Sequence, residues 1–125
     1  MADYIIVTNN PQVLETFHKD KEVLFREVDF KEILTVVRDL VYQGKELLTH
    51  PLSGSVKPLE THYKSVLISK ADKGPTDFRS VQLIESALNA CTKFAYKNDN
   101  DKQTLEDMQA VDLALISGAI ASADA

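Results

Sequence analysis

The junction between a buried strand and a helix near the N-terminus constrains the fold more than any other feature of the chain. Residues 4–7, YIIV, form a continuous apolar run rich in β-branched side chains, which is typical of a strand buried on both faces. Asn10 then offers a good N-cap side chain, and Pro11 suits the first position of a helix. A buried strand that passes directly into a helix predicts an α/β fold.

The same alternation of strands and helices continues along the chain. The predicted strands are residues 4–7, 23–25, 46–49 and 65–69, and the predicted helices begin after Asn10, after Asp29, after Thr76 or Asp77, and after residues 98–101. Strands that alternate with helices imply a parallel sheet with right-handed crossovers. We therefore expect a small three-layer, flavodoxin-like α/β domain with about four parallel strands in the order 2-1-3-4, flanked by helices and ending in two helices.

Length and composition predict one domain with one core. The chain has 125 residues, of which 44% are apolar, so residues 1–125 are expected to form a single α/β domain. The C-terminal helix within residues 99–125 ends in an alanine-rich stretch, and we expect it to be peripheral or to form an oligomer contact. Exposed sheet edges also make a homodimer a reasonable expectation. The apolar face of this helix is predicted to comprise Leu105, Met108, Val111, Leu115, Ile116 and Ala119.

The charge pattern argues against nucleic acid and membrane as partners. The net charge is −5, and no run of Lys or Arg is interleaved with aromatic residues. The most apolar stretch, residues 113–121, is too short to span a bilayer and contains Ser117 and Gly118. The N-terminus lacks the pattern of a signal peptide, and a lone cysteine, Cys91, fits a reducing compartment, so a cytoplasmic protein is expected.

The segment from residue 49 to residue 64 is the most distinctive chemically. It shows neither helical nor strand periodicity, and a loop this long in a compact domain is usually functional or disordered. Pro51 and Pro58 stiffen it, and the run Ser53-Gly54-Ser55 could direct backbone N–H groups at an anion. The alternative is a loop that covers a sheet edge and whose hydroxyl groups only satisfy its own turns.

The predicted topology suggests where this loop lies. In a sheet of order 2-1-3-4, ligands bind where the connections of strands 1 and 3 diverge, which would place residues 8–10 beside residues 49–51. Lys57 adds a positive charge to the loop, and His50 and His62 can donate hydrogen bonds near neutral pH. The predicted ligand-binding residues are Asn9, Asn10, Thr49, His50, Ser53, Gly54, Ser55, Lys57, Thr61 and His62.

Other kinds of site lack their sequence signatures. Neither a phosphate-binding P-loop nor the glycine pattern of a dinucleotide fold follows a predicted strand, and the nucleophile-elbow motif is missing. A metal site would need His50, His62 and Cys91 to converge from unrelated segments. We therefore expect no cofactor and no bound metal, and the sequence assigns no catalytic residue.

Three segments together resemble one protein family. They are VTNNP at residues 7–11, VRDLVYQGKELLTHPLSGSVKP at residues 37–58 and ETHYKSVLIS at residues 60–69. The chain resembles the GrdX-like family over roughly residues 4–95 and departs from its pattern at Leu59 and His62. The resemblance implies a small accessory protein encoded beside the glycine, sarcosine and betaine reductase systems of anaerobic bacteria, with no assigned reaction.

Three functions follow from these expectations. The first is an accessory or regulatory protein of such a reductase pathway that binds a small anion, a carboxylate or a phosphate, at residues 49–63. The second is an assembly or maturation factor that contacts reductase subunits and binds no small molecule. The third is an enzyme acting on an acyl or phosphoryl group, which is the least supported because no nucleophile with an oriented base is recognisable.

Overall fold

The computed structural model describes residues 3–52, 61–72, 74–92 and 101–125. Within these residues the chain forms a three-stranded sheet and four helices. In chain order the elements are β1 (Tyr4–Thr8), α1 (Pro11–Phe17), β2 (Val23–Phe25), α2 (Phe30–Tyr42), β3 (Ser65–Ser69), α3 (Phe78–Cys91) and α4 (Lys102–Asp124). The predicted α/β class is confirmed.

The sheet is mixed, so the predicted four parallel strands in the order 2-1-3-4 are wrong. The observed order is β2-β1-β3, with β1 parallel to β2 and antiparallel to β3. The predicted strand at residues 46–49 contributes one isolated antiparallel bridge, between Leu47 and Ile68. Since Ile68 pairs with Ile5 of β1 on its other side, β3 lies between β1 and this segment.

The direction of β3 has a local cause. A parallel neighbour requires a long crossover, usually a helix, whereas two strands joined without one run antiparallel. Residues 50–64 show no helical periodicity in the sequence. Strand β3 runs antiparallel to the segment around Leu47 that precedes it, and it pairs with β1 in the same antiparallel sense.

Side chains of the central strand alternate between two helical layers. Ile5 and Val7 pack into a core cluster with α2 and α3, whereas Tyr4 and Ile6 pack into a second cluster with α1 and α4. All four are at most 8% exposed, as expected for a strand covered on both faces. The layers are thus helix, sheet and helix.

Polar side chains begin the helices as the sequence predicts. Asn10 accepts a hydrogen bond from the backbone N of Gln12 at the start of α1, and Asp29 accepts one from Glu32 N at the start of α2. Asp77, rather than Thr76, caps α3. These bonds satisfy backbone N–H groups that have no partner within the helix.

Helix α4 buries only part of the face that its pattern predicts, since Ile116 is buried and Ala119 packs against the core as expected. Its buried residues are Asp112, Ile116 and Ile120, whereas Val111 is 60% exposed and Leu115 is 43% exposed. A helix with apolar residues around much of its circumference does not specify its own buried face. Hydrogen bonds from Ser65 and Asn10 to Asp112 determine which face of α4 is buried.

The last turn of α4 is tied to the start of the sheet by Asp124. Its Oδ1 accepts a hydrogen bond from Tyr4 Oη at 2.8 Å, and its Oδ2 accepts one from Lys21 Nζ at 2.7 Å. The bond from Lys21 is the main reason that the pKa of Asp124 lies below its usual range. Because both charged groups are partly exposed, this contact orients the helix more than it stabilises the fold.

Two phenylalanines at matched positions test where the core lies. Phe30 and Phe78 are the first residues of α2 and α3, but Phe30 is 0% exposed and Phe78 is 73% exposed. We expect Phe30→Ala to lower the free energy of unfolding by about 3–5 kcal/mol, because it leaves a cavity. Phe78→Ala should change it by less than about 0.5 kcal/mol. Urea denaturation measures both values, and equal losses would contradict the described core.

Candidate functional site

The candidate site lies at the end of the sheet where β1 finishes and β3 begins. Because these strands are antiparallel, Thr8 and Ser65 are directly opposite, and their side-chain oxygens are 2.6 Å apart. Thr8 is 0% exposed and Ser65 is 5% exposed. Two buried hydroxyl groups at one sheet end require hydrogen-bond partners, and α4 supplies the main one.

That partner is the carboxylate of Asp112. Its Oδ2 accepts hydrogen bonds from Ser65 Oγ at 2.7 Å and from Asn10 Nδ2 at 3.0 Å, and its Oδ1 accepts one from the backbone N of Ser65 at 3.1 Å. The residue is 5% exposed. A buried carboxylate is costly unless it is well hydrogen-bonded, and these bonds meet that requirement.

The hydrogen-bond directions in this network can be assigned. Ser65 donates its hydroxyl hydrogen to Asp112, since an ionised carboxylate can only accept. The hydroxyl of Thr8 therefore donates to Ser65 Oγ, while Thr8 Oγ1 accepts from the backbone N of Asn10. The chain of bonds thus ends on the negative charge of Asp112.

Asn10 joins α1 and α4 through its side chain, and its backbone N donates to Thr8 Oγ1 at the end of β1. Its Oδ1 accepts the capping bond at the start of α1, and its Nδ2 donates to Asp112 and to the carbonyl oxygen of Gln109, both on α4. It is 0% exposed. The residue predicted to bind a ligand is therefore brought to the site, where its polar atoms hold α1, β1 and α4 together.

Asn9 attaches the end of the long loop to β1. Its Nδ2 donates to the carbonyl oxygens of Val28 and His62, at 2.9 and 2.8 Å, and its Oδ1 accepts from the backbone N of Lys64 at 2.8 Å. The residue is 4% exposed. Asn9 thus fixes the position of the residues that lead into β3.

The other predicted ligand-binding residues lie in three places. Thr49 and His50 are at the same end of the sheet as Asn9 and Asn10, but β3 separates them from β1 instead of leaving them adjacent. Thr61 accepts a hydrogen bond from the backbone N of Tyr63 and caps a local turn. Ser53, Gly54, Ser55 and Lys57 are outside the described residues.

A small cleft opens beside this network. It encloses about 50 Å³. Its walls come from the start of the loop, the start of β3 and one side of α4, and they comprise Thr49, His50, Lys64, Ser65, Asp112, Leu115, Ile116 and Ala119. One water requires roughly 10–15 Å³ of cavity volume, so the cleft holds a group of only a few non-hydrogen atoms.

The cleft carries two opposite charges. Lys64 and Asp112 both line it, and each is 5% exposed. Burial lowers the pKa of Lys64, and the nearby negative charge of Asp112 partly offsets that effect. The cleft is therefore lined by one basic side chain, from the residue before β3, and one acidic side chain, from α4.

Sequence reasoning missed Lys64, Ser65 and Asp112. The strand prediction treated Ser65 as a strand end, and the face assigned to the last helix excluded Asp112. A signal for Asp112 was present, because it is the one charged residue between Met108 and Ile120 and lies four residues before Ile116. A lone charge on an apolar helical stripe indicates a buried polar contact.

The structure also gives findings on metal binding and on membrane spans. Among the described residues, no three His, Cys, Asp or Glu side chains lie close enough together to hold a metal ion. Within the same residues, every helix is too short or too polar to cross a membrane.

A comparison with protein families matches most of the chain, including the residues of the cleft. The family model described as GrdX-like protein matches residues 5–121. The chain belongs to the GrdX-like family. The match includes both Lys64 and Asp112, so the α4 side of the cleft lies in the matched region of this GrdX-like protein as well. No curated protein and no solved structure was found to be similar to the chain.

Removing the carboxylate at the centre of the network should destabilise the protein. We expect Asp112→Ala to lower the free energy of unfolding by at least about 3 kcal/mol, because the N–H and O–H groups that bind it would remain buried without an acceptor. Asp107→Ala is the matched control, since Asp107 is an exposed aspartate on the same helix. Urea denaturation of both variants gives the comparison, and equal stabilities would show that the network contributes little.

The lowered pKa of Lys64 gives a pH prediction with a definite sign. The unfolded chain keeps its lysine proton to higher pH than the folded protein, so the folded state gains stability as the pH rises toward the usual lysine pKa. In Lys64→Met this gain should disappear. Between pH 7 and pH 10, the free energy of unfolding of the wild type should therefore increase relative to that of the variant. Urea titrations across that range test it, and parallel pH profiles would be the contrary result.

Proposed function

We propose that this GrdX-like protein is an accessory or regulatory protein of an anaerobic glycine, sarcosine or betaine reductase pathway. In that role it binds a small ligand through an anionic group, in the cleft between the start of the loop at residues 49–63, the start of β3 and α4. The observation that carries the proposal is a buried lysine, Lys64, in the wall of a cleft of about 50 Å³.

The side chains that line this cleft include hydrogen-bond donors of the kinds that bind anions. Thr49 Oγ1 accepts from the backbone N of Leu67, which leaves its hydroxyl hydrogen to donate. His50 Nδ1 accepts from the backbone N of Leu52, so in the neutral ring the hydrogen is on Nε2, which is then a donor. With the ammonium group of Lys64, the cleft offers three kinds of donor to a carboxylate or phosphate oxygen.

The size of the cleft limits the ligand. Pockets for nucleotides and other drug-sized molecules are about 300–1,000 Å³, far larger than this one. A carboxylate or a comparable oxyanion with a short carbon substituent matches the available space. The proposal therefore concerns small metabolites and not nucleotide cofactors.

Calorimetric titration with small anions tests this function. We expect acetate, glycine or phosphate to bind the wild-type protein and Lys64→Met to bind at least about tenfold more weakly, because the buried positive charge is gone. Lys70→Met is the matched control, since Lys70 is an exposed lysine at the other end of β3, where it pairs with Glu22. A folded wild-type protein that binds none of these compounds would refute the proposal.

An assembly role is the second candidate, and the exposed apolar residues of α4 favour it. Val111 and Leu115 are one helical turn apart and are 60% and 43% exposed. An apolar pair of this kind on a helix surface is a common element of a protein contact. If this role is correct, replacing Val111, which does not line the cleft, with serine should weaken co-purification with reductase subunits without changing stability. Unchanged co-purification would exclude this surface.

A further inference from the structure

We infer that the ligand of the cleft is a small zwitterion, a molecule of amino-acid type with a carboxylate and an ammonium group a few bonds apart. This inference rests on the proposed function, and it adds an ammonium group to the anionic group that the ligand is proposed to carry. Its basis is that Asp112 lines the same cleft as Lys64, so a ligand that is only an anion meets a buried negative charge.

Asp112 cannot turn away from an incoming ligand. Three hydrogen bonds from Ser65 and Asn10 hold its carboxylate, and the donors belong to β3 and to the start of α1. Moving the carboxylate would leave those buried donors without an acceptor. Its negative charge is thus a permanent part of the cleft wall.

The carboxylate keeps capacity for one more donor. From the described residues, Oδ2 accepts two hydrogen bonds, from Ser65 Oγ and Asn10 Nδ2, whereas Oδ1 accepts one, from Ser65 N. A carboxylate oxygen can accept about two hydrogen bonds. Oδ1 of Asp112 is therefore the acceptor that a ligand ammonium group would use.

The two charges act in opposite directions on any ligand with a single charge. In a cleft of about 50 Å³, a monoanion is attracted by Lys64 and repelled by Asp112. A monocation is attracted by Asp112 and repelled by Lys64. A zwitterion oriented with its carboxylate toward Lys64 and its ammonium group toward Asp112 gains from both charges. The apolar wall formed by Leu115, Ile116 and Ala119 then faces the carbon atoms between the ligand's charged groups.

Three small compounds that differ in their charged groups separate these cases. Glycine carries both charged groups, acetate carries only the carboxylate, and methylammonium carries only the cation. We expect the wild-type protein to bind glycine at least about tenfold more tightly than either of the others, by calorimetry or by chemical-shift titration at pH 7. Acetate binding as tightly as glycine would overturn the zwitterion inference and leave the proposed anion site in place.

Other outcomes bear on the proposed function separately. If none of the three compounds binds the folded protein, while phosphate does, the zwitterion inference fails and an anion site remains. If methylammonium alone binds, both the inference and the anion site fail.

A substitution at Asp112 adds a second test. In Asp112→Asn the preference for glycine over acetate should fall to less than about threefold, because the negative charge is removed while the side chain keeps its shape. Lys64→Gln should weaken glycine and acetate alike. An unchanged glycine preference in a folded Asp112→Asn protein would overturn the inference. If that variant does not fold, the comparison of compounds on the wild-type protein still decides the question.

Discussion

The hydrogen bonds of Asp112 with Ser65 and Asn10 are the contact on which the arrangement of this protein depends. They join α4 to the start of β3 and to the start of α1, and they do so within the buried interior. Apolar packing alone would let a helix such as α4 rotate, since its apolar residues surround much of its circumference. A buried carboxylate with fixed donors removes that freedom, because a rotation that takes Asp112 away would leave the buried donors of Ser65 and Asn10 without an acceptor.

The same contact gives the cleft its chemical character. One wall of the cleft is built from the network and carries the negative charge of Asp112. Lys64, whose backbone N donates to Asn9 Oδ1, lines the same cleft. Residues that stabilise the fold thus also set the charges that a ligand would meet. The proposed binding site and the junction of sheet and helix are one structural unit.

The candidate site could be predicted only in part from the sequence. Polar residues after a buried strand indicated Asn9 and Asn10, and the long loop indicated Thr49 and His50. All four lie at one end of the sheet, yet the two asparagines hold the protein together. The lone charge of Asp112 on an apolar stripe indicated a buried polar contact, but its partners, Asn10 and Ser65, are distant in sequence and could not be identified from it.

The sequence by itself determined the local structure of this protein. The buried strand at residues 4–7, the caps at Asn10 and Asp29, and the identity of the family follow from neighbouring residues. Only the tertiary structure decided the sheet order and the face of α4. A strand buried on both faces has the same apolar pattern in a parallel and an antiparallel sheet, so the insertion of β3 beside β1 depends on contacts between distant segments. The cleft exists because of that insertion.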